Sequence, residues 1–352
     1  MNIFRPLLRC LSVLVLLAAA GSCMPRNRYI QFTGYAQGGI YSVKINLEGV
    51  PRRLRAKPAL IQQEIDAILT HIDTTLSGYN KGSQLSRFNT GEAVVPNETF
   101  REVYALSRKF YTETDGALDV AAGPLFDAWG FGFTTDSLPS ATVVDSLLAV
   151  CGMDKLDENM RSRVPDLRPK LNFNAIAQGY ACDRIAAYLR SIGVKDMLVN
   201  IGEIYCDGVN PSGEPWSIGI DRPVDGNMTP GADLNGVWLS SGTGCGVVTS
   251  GNYRKYYEKD GQKYSHTIDP RTGYPVSHSL LSATIIAPSS VAADAYATYC
   301  MVVGLEAARD FILSRSDLEG YLIYDTGETG AGPFTSSGSM AEWASPGFRL
   351  RQ

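Results

Sequence analysis

The sequence LNFNAIAQGYACDRIAAYLRSIGVKDMLVNI spans residues 171–201 and shows how the chain is organised. Its middle part carries apolar residues at intervals of three to four, which predicts a helix over about residues 178–193. The side chains expected to face inward are Ala181, Ile185, Leu189 and Ile192. The apolar run at residues 197–201 predicts a strand directly after the helix. Because a strand also leads into the helix, the stretch predicts a strand–helix–strand unit.

The junction between the first strand and this helix is a candidate binding site. Residues 171–180 place free backbone N–H groups and the positive end of a helix dipole at one point. Such a junction suits a pyrophosphate group. An ordinary capped helix start has the same pattern, and this stretch taken alone favours that simpler interpretation.

Further elements are expected on both sides of this unit. They are strands at residues 41–47, 216–220 and 281–287, helices that begin at Pro58, Asn97 and Ser290, and a strand, glycine turn and strand over residues 237–248. Strands are concentrated after residue 195, and no regular alternation of strands and helices is present. The sequence therefore predicts an α+β fold, with mixed or antiparallel sheets and packed helices in a single large domain.

Composition excludes several classes of protein. The chain has 352 residues, 44% of them hydrophobic and 19% charged, which is typical of a globular protein. A net charge of −4 argues against an electrostatic nucleic-acid binder. Beyond residue 23 there are five scattered cysteines without a C-x-x-C pair, so we expect buried free thiols and neither a zinc site nor a disulfide framework.

Residues 1–22 have the features of a secretory targeting segment. Arg5 and Arg9 precede an apolar run at residues 10–20 that is too short to span a bilayer. Small residues then lead to Cys23, and this arrangement resembles the cleavage site of a bacterial lipoprotein signal. An ordinary secretory signal cut near the same place is the alternative. The cysteine at that place favours the lipoprotein.

This interpretation divides the chain into a signal peptide at residues 1–22, a lipid-anchored linker at 23–33 and a folded domain at 34–352. Several acyl chains on Cys23 would form a stable membrane anchor. We therefore expect the protein to be held in the bacterial cell envelope by its lipid and to face the periplasm or extracytoplasmic space.

The polar stretch from Ser265 to Gly273 gathers reactive side chains on a turn. It contains His266, one of only three histidines in the chain, and Asp269, which opens the turn. Such side chains on a loop after a strand are a common way to build a site. A polar surface turn is the alternative, and the stretch alone favours it.

Asp294 and Thr298 form a second candidate group, because their spacing of four places both on one face of the predicted helix. A carboxylate and a hydroxyl are hard oxygen ligands that suit Mg²⁺. A solvated helix face is the simpler alternative. Elsewhere, Tyr79 lies in a polar loop where its ring can stack on a flat ligand, and Asp119 is an acid among small and apolar residues. Alternatively, Tyr79 covers the end of the first helix, and Asp119 accepts hydrogen bonds from loop amides.

Taken in order, these segments resemble the ApbE-type flavin transferases, the FAD:protein FMN transferase family. The similarity runs from about residue 34 to the C-terminus, so it covers nearly all of the predicted domain. The landmarks are residues 76–89, 114–119, 123–125, 175–183, 199–202, 249–251, 265–273 and 293–298. The resemblance implies the ApbE-like fold, which is related to the T-fold.

The resemblance also implies ligands for Mg²⁺ and contacts to FAD. The implied metal site consists of the backbone oxygen of Ala175 and the side chains of Asp294 and Thr298. The implied FAD contacts are Tyr79, Ala117, Leu118, Asp119, Asn172, Gln178 and Ile268, with Gln37 at one further contact position. Gln37 replaces a frequent Met, Asn172 a frequent Asp, and Gln178 a Lys or Glu, so the local charge differs from that of the family.

The family reaction transfers FMN from FAD to a Thr or Ser hydroxyl of a partner flavoprotein and releases AMP. By this resemblance, His266 or Asp269 would accept the hydroxyl proton. Two alternatives use the same site. The first is a pyrophosphatase that cuts FAD to FMN and AMP, and the second is a lipoprotein that binds FAD without chemistry.

Overall fold

The computed structural model describes residues 28–131, 138–164, 170–224, 226–227, 229–253, 256–259, 262–327 and 339–351. The predicted signal peptide and the lipidation site at Cys23 lie outside these residues. None of the helices in the described ranges is long and apolar enough to cross a membrane.

An eight-stranded antiparallel sheet organises the molecule. In spatial order its strands are β1 (Tyr29–Ala36), β2 (Gly39–Asn46), β3 (Met197–Asn200), β4 (Ile204–Asp207), β7 (Cys245–Gly251), β12 (Leu280–Ala287), β13 (Glu319–Asp325) and β14 (Met340–Ala344). Strand β1 begins at Tyr29, so residues 29–33 of the predicted linker belong to the sheet and the folded domain starts before residue 34. On β2, the side chains of Tyr41, Val43 and Ile45 are buried at alternate positions, because one face of the strand is covered by the core.

Three smaller sheets complete the strand content of the described residues. They are β5 (Ser217–Asp221), β6 (Leu234–Leu239) and β15 (Leu350–Arg351) in one sheet, the hairpin β8 (Tyr256–Lys259) with β9 (Gln262–Ser265), and the short pair β10 (Ile268–Asp269) with β11 (Tyr274–Pro275).

Nine α-helices lie within the described ranges, and those that start at Ala59, Ala177, Ser290 and Leu305 contact strands of the large sheet. They are α1 (Arg52–Ala56), α2 (Ala59–Leu76), α3 (Gln84–Asn89), α4 (Glu98–Glu113), α5 (Gly123–Ala128), α6 (Ala141–Val150), α7 (Ala177–Ser191), α8 (Ser290–Val303) and α9 (Leu305–Ser314). The predicted N-cap Asn97 accepts a hydrogen bond from the Phe100 N–H at 2.9 Å, as expected for a helix start. The predicted α+β class is confirmed.

Helix α8 lies at the centre of the packing, between α7 and the strands β7 and β12. Two glycines permit this close approach. A Cβ on Gly179 would lie 2.3 Å from the carbonyl oxygen of Ser290, and one on Gly246 would lie 2.4 Å from the Ser290 Cα. The N-terminal turn of α8 is therefore wedged between α7 and β7, which fixes the position of Asp294.

The structure corrects one predicted connection. Residues 237–248 form two strands joined by a turn, but β6 and β7 do not pair with each other. Strand β7 is buried over residues 245–248 and pairs with β4 and β12, whereas β6 alternates in burial and pairs with β5 and β15. Strand β7 is buried on both faces because α8 packs on one of them and the sheet that carries Ile218 and Trp238 packs against Val247 on the other. The five described cysteines are buried free thiols, as predicted.

Candidate functional site

The N-terminus of α7 meets α8 through a buried carboxylate. Asp294 Oδ2 accepts a hydrogen bond from the Gly179 N–H at 3.0 Å, so the carboxylate satisfies a backbone donor in the first turn of α7. This places the acid predicted from α8 against the helix start predicted within residues 171–180. The strand predicted to lead into that helix is not formed, because the N–H groups of Leu171 and Asn172 bond to the Asn89 side chain and the Val120 carbonyl, and residues 174–176 form a turn. Two candidate groups that are 115 residues apart in the chain therefore form one site.

Burial strongly raises the pKa of the Asp294 carboxylate. Asp294 is only 5% exposed, and burial raises its pKa well above the ordinary value of 3.8, with a further rise from the negative charge of Glu203. Burial also raises the pKa of Glu203 to about 7. Two carboxylates that disfavour each other's charge are stabilised by a cation between or beside them.

A third carboxylate near this pair has a structural partner. Asp183 accepts hydrogen bonds from the backbone N–H groups of Ser290 at 2.8 Å and Val291 at 2.9 Å. Burial raises the pKa of Asp183 to about 6, although these hydrogen bonds oppose the rise. Asp183 therefore holds the start of α8 in place, whereas Asp294 faces the start of α7.

Asp294, Thr298 and the Ala175 carbonyl are the oxygen donors predicted for a metal site. Thr298 lies one turn after Asp294 on α8 and is partly exposed. Within the described ranges, neither the Thr298 hydroxyl nor the Ala175 carbonyl takes part in a hydrogen bond. The same ranges hold no group of three His, Cys, Asp or Glu side chains arranged for a metal. A site with one carboxylate, one hydroxyl and one carbonyl suits Mg²⁺, which keeps the rest of its shell for water or phosphate.

Gln178 and Asn172 position the backbone around this junction. The Gln178 amide donates to the Ile201 carbonyl at 3.1 Å and so joins the first turn of α7 to the end of β3. The Asn172 side chain accepts from the Asn174 N–H at 2.9 Å, and its own N–H donates to the Val120 carbonyl at 2.8 Å. The second contact brings the segment after Gly116 alongside the start of α7.

Ala117, Leu118 and Asp119 are all buried in that segment. The Asp119 carboxylate accepts from the N–H groups of Ala121 at 2.7 Å and Met153 at 3.1 Å. Burial raises its pKa to about 6, against the opposing effect of these two bonds. Asp119 therefore bonds to loop amides, which is the alternative considered for it, and any contact from this segment to FAD would have to come from its backbone or from the cavity that it lines.

That cavity has a volume of about 260 Å³ and joins two predicted parts of the site. Asp119 and Gly116 line one side, and Pro270 and Arg271 line another. Ile268 lies nearby with its side chain buried, and its strand β10 packs against α8. The turn that carries His266 is therefore close to the helix that carries Asp294.

Tyr79 is the most exposed of the predicted contacts. Its side chain is 66% exposed, and its hydroxyl accepts a hydrogen bond from the Asn174 amide at 3.3 Å. Because Asn174 precedes Ala175, the ring stands beside the proposed metal ligand with most of its surface available for stacking.

Hydrogen bonds to a buried side chain hold the turn with His266 in place. The hydroxyls of Ser265 and Thr267 both donate to the Oδ1 of the buried Asn252, at 2.9 and 2.8 Å. The His266 ring is partly exposed and packs edge-on against Phe131, with the ring centroids 6.4 Å apart. His266 is thus held on both sides while part of its ring remains accessible.

Asp269 has a different environment from His266. Its two carboxylate oxygens accept hydrogen bonds from the Nε and Nη2 of Arg271 at 2.9 and 2.8 Å, and Oδ1 also accepts from the Arg271 N–H. This ion pair raises the pKa of the Arg271 guanidinium. With both oxygens engaged, Asp269 is better placed to hold Arg271 at the cavity than to accept a proton.

Gln37 lies in the two-residue turn between β1 and β2, with a positive φ of 51°. Its amide oxygen and nitrogen are buried and have no hydrogen-bond partner among the described residues. A buried amide without a partner is costly, so a ligand is the natural partner for it.

Sequence reasoning missed three charged residues of this region. Glu203 follows the landmark at residues 199–202, but only the pairing of β3 with β4 turns it towards Asp294. Asp183 lies within the landmark 175–183, and its spacing alone does not reveal that it caps another helix. Arg271 lies two residues after Asp269, a spacing that permits the observed ion pair and was available as a signal.

Comparison with known proteins identifies relatives that match most of the chain. A sequence model of the ApbE family matches residues 38–322. The FAD:protein FMN transferase of Escherichia coli K12 is 33% identical over 308 residues, which is 83% of this chain and 82% of the relative. That of Vibrio cholerae is 34% identical over 320 residues, with coverages of 86% and 89%.

Solved structures agree with the sequence comparison. The flavin transferase ApbE from Vibrio cholerae superposes with a TM-score of 0.73 at 29% identity, over 90% of this chain and 97% of that protein. The apo form of the Pseudomonas stutzeri flavinyl transferase ApbE gives a TM-score of 0.72 at 30% identity, over 90% and 95%. The similarity therefore extends over nearly the whole fold.

Proposed function

The chain belongs to the ApbE family, and on that premise we propose that it transfers FMN from FAD to a Thr or Ser hydroxyl of a partner flavoprotein and releases AMP. The observation that carries this proposal is the buried Asp294 carboxylate at the N-terminus of α7, with the hydroxyl of Thr298 and the carbonyl of Ala175 lacking hydrogen-bond partners among the described residues. A helix N-terminus and three oxygen donors suit a pyrophosphate with its metal ion.

Different residues would bind the pyrophosphate, the flat ring of FAD and the metal ion. The first-turn N–H groups of α7 would orient the pyrophosphate, and Tyr79 would stack on a flat ring of FAD. Asp294, Thr298 and the Ala175 carbonyl would hold Mg²⁺, which neutralises phosphate charge when bound. The raised pKa of Asp294 supports this assignment, because a cation would remove the unfavourable burial of its charge.

The reaction requires one proton transfer. The acceptor hydroxyl oxygen forms a bond to the phosphorus of the FMN part, the bond from that phosphorus to the AMP oxygen breaks, and AMP leaves with the electron pair. We assign His266 as the base that accepts the hydroxyl proton, since Asp269 is paired with Arg271. A general base contributes roughly 10²–10⁴-fold in such a step.

We also propose that Cys23 carries the lipid and that the protein is held at a membrane of the bacterial envelope, facing the periplasm or extracytoplasmic space. The basic residues, the apolar run and the small residues before Cys23 support this location. The acceptor would then be a membrane or extracytoplasmic flavoprotein with a short Asp-, Ser- and Thr-rich flavinylation motif that ends in Ala-Thr.

Flavin fluorescence in a denaturing gel tests the function. The chain from Met24 onward is incubated with FAD, Mg²⁺ and an acceptor domain that carries the motif. A fluorescent acceptor band that disappears when its Thr is replaced by Ala would establish FMN transfer. A dark band with AMP in solution would instead favour a pyrophosphatase, and a dark band with intact FAD would favour binding without chemistry.

A further inference from the structure

The positive charge of the chain is concentrated where the fold begins. Residues 28–57 contain six Lys or Arg and one Glu, a net charge of +5, whereas residues 58–352 contain 23 Lys or Arg and 35 Asp or Glu, a net charge of −12. Five of these six cations are exposed, namely Arg28, Arg52, Arg53, Arg55 and Lys57. Within the described ranges, none of the five forms an ion pair or a side-chain hydrogen bond.

A groove of about 600 Å³ separates the start of β1 from the short helix α1. Arg28, Arg52 and Arg55 line it together with an apolar floor made by Tyr29, Ile30, Leu47 and Ala56. The walls are fixed by backbone hydrogen bonds, from the Leu47 N–H to the Arg28 carbonyl at 3.0 Å and from the Arg55 N–H to the Pro51 carbonyl at 3.0 Å. We call this feature the basic groove.

We propose that the basic groove binds the headgroups of anionic phospholipids and forms the face that this protein turns towards its membrane. Its cations complement the phosphate of a headgroup, and its apolar floor complements the glycerol and first methylenes below that phosphate. The inference goes beyond flavin transfer, and the closeness of the groove to the membrane rests on the proposed lipidation of Cys23.

The position of the groove in the chain agrees with this occupant. Arg28 follows Cys23 by five residues, which at most about 3.4 Å each reach about 17 Å. A lipid on Cys23 would therefore keep the groove close to the headgroups. A basic surface is a common second membrane signal beside a lipid anchor.

The groove also fixes which end of the molecule faces away from the lipid. Helix α2 begins two residues after Lys57 and has 18 residues, so it extends about 27 Å before it reaches the loop of Tyr79. The eight-residue strands β1 and β2 run from the groove to the turn that holds Gln37 over about the same distance. Tyr79 and Gln37, two of the implied FAD contacts, therefore lie at the end of these elements opposite the groove, where an acceptor protein can approach without displacing lipid.

Vesicle binding tests the proposal on the chain from Met24 to Gln352, which keeps every residue of the three hydrophobic clusters. We expect it to sediment with vesicles of equal parts phosphatidylglycerol and phosphatidylcholine and to stay in solution with pure phosphatidylcholine. The double variant Arg52→Glu and Arg55→Glu should lower the partition coefficient at least about 25-fold, since each cation near an anionic surface contributes about fivefold. The matched control, Arg349→Glu and Arg351→Glu, changes the net charge equally and should bind like the unmodified chain.

Two further measurements keep the result unambiguous. The groove variant should transfer FMN to an acceptor domain in solution at the unmodified rate, which shows that it is folded. Equal binding of the groove variant and the control would overturn the proposal, as would equal binding to the neutral vesicles. Release of the chain by inorganic phosphate beyond that caused by chloride of the same ionic strength would identify a small-anion site instead of a membrane face.

Discussion

Asp294 on α8 accepts the N–H of Gly179 on α7, and this one hydrogen bond joins the two halves of the proposed site. It is possible because Gly179 has no side chain, since a Cβ there would lie 2.8 Å from the Asp294 Cβ. The carboxylate therefore meets the positive end of the α7 dipole directly. A second positive charge at this point, a metal ion, would stabilise the same carboxylate further.

Replacing Asp294 by Asn should separate its hydrogen bond to Gly179 from its proposed role as a metal ligand. The Asn side chain can still accept from Gly179, but it removes the negative charge that would hold Mg²⁺. We expect FMN transfer to fall about 10²–10³-fold, because a bound metal ion supplies several kcal/mol of charge stabilisation. The rate of FMN transfer at increasing Mg²⁺ concentrations is the measurement.

Asp183→Asn is the control for this variant, because Asp183 is also a buried acid that accepts backbone N–H groups at a helix start. The Asn side chain keeps only one of the two oxygens that accept these N–H groups, so the free energy of unfolding should fall by about 1–2 kcal/mol. It should leave the Mg²⁺ concentration for half-maximal rate unchanged. If Asp294→Asn transferred FMN at the unmodified rate in limiting Mg²⁺, the metal assignment would be wrong.

The buried Asp119 predicts how stability depends on pH. Its pKa is raised to about 6 in the folded chain from an ordinary value of 3.8, so the folded state binds more protons than the unfolded state between these values. Its contribution is therefore present at about pH 4 and is lost as the pH rises through about 6. A pKa difference of about two between the folded and unfolded chains corresponds to about 3 kcal/mol.

Urea unfolding at several pH values checks this sign. The unmodified chain should lose about 3 kcal/mol of unfolding free energy relative to Asp119→Asn between about pH 4 and pH 7. Using the difference between the two chains removes the contributions of other titrating groups, such as Asp317, whose pKa is lowered by Arg315. A difference that stays constant over this range, or that changes in the opposite direction, would contradict the raised pKa of Asp119.

Local patterns predicted the elements of this fold well. Ala181, Ile185 and Leu189 are buried on α7 as the helical period predicts, and Asn97 caps α4 as its residue type predicts. The spacing of Asp294 and Thr298 placed them on one helix face, as the structure has them. These features depend on residues at most a few positions apart, so a single sequence contains them.

Pairings between distant strands were not predictable in the same way. Strand β7 pairs with β4 and β12, whereas the sequence predicted a strand, a glycine turn and a strand that would join it to β6. The charge repulsion between Glu203 and Asp294 arises only after β3, β4 and α8 are assembled. Asp294, Thr298 and His266 were recognisable one by one, but their partners depend on contacts between distant parts of the chain.

The contrast between His266 and Asp269 predicts which of them is the base. His266→Ala should lower the rate of FMN transfer roughly 10²–10⁴-fold while the Kd for FAD stays unchanged. Asp269→Asn weakens a partly exposed ion pair with Arg271, so we expect a fall of about fivefold or less. Single-turnover transfer and FAD titration on both variants measure these quantities. A larger loss of rate in Asp269→Asn than in His266→Ala would reverse the assignment.

The buried amide of Gln37, which has no partner among the described residues, is expected to lower the stability of the ligand-free chain and to strengthen FAD binding. Gln37→Met removes two buried polar atoms that have no partner among the described residues, so the free energy of unfolding of the ligand-free chain should rise by about 1–3 kcal/mol. If FAD is the missing partner, the Kd for FAD should rise about 2–10-fold, as expected for the loss of one neutral hydrogen bond. Gln31→Met on the preceding strand β1 is the matched control, because Gln31 is exposed and already bonds to Ser42 at 2.9 Å. It should change neither quantity appreciably. A Gln37→Met chain that is stabilised but binds FAD with unchanged affinity would show that the buried amide does not contact the flavin nucleotide.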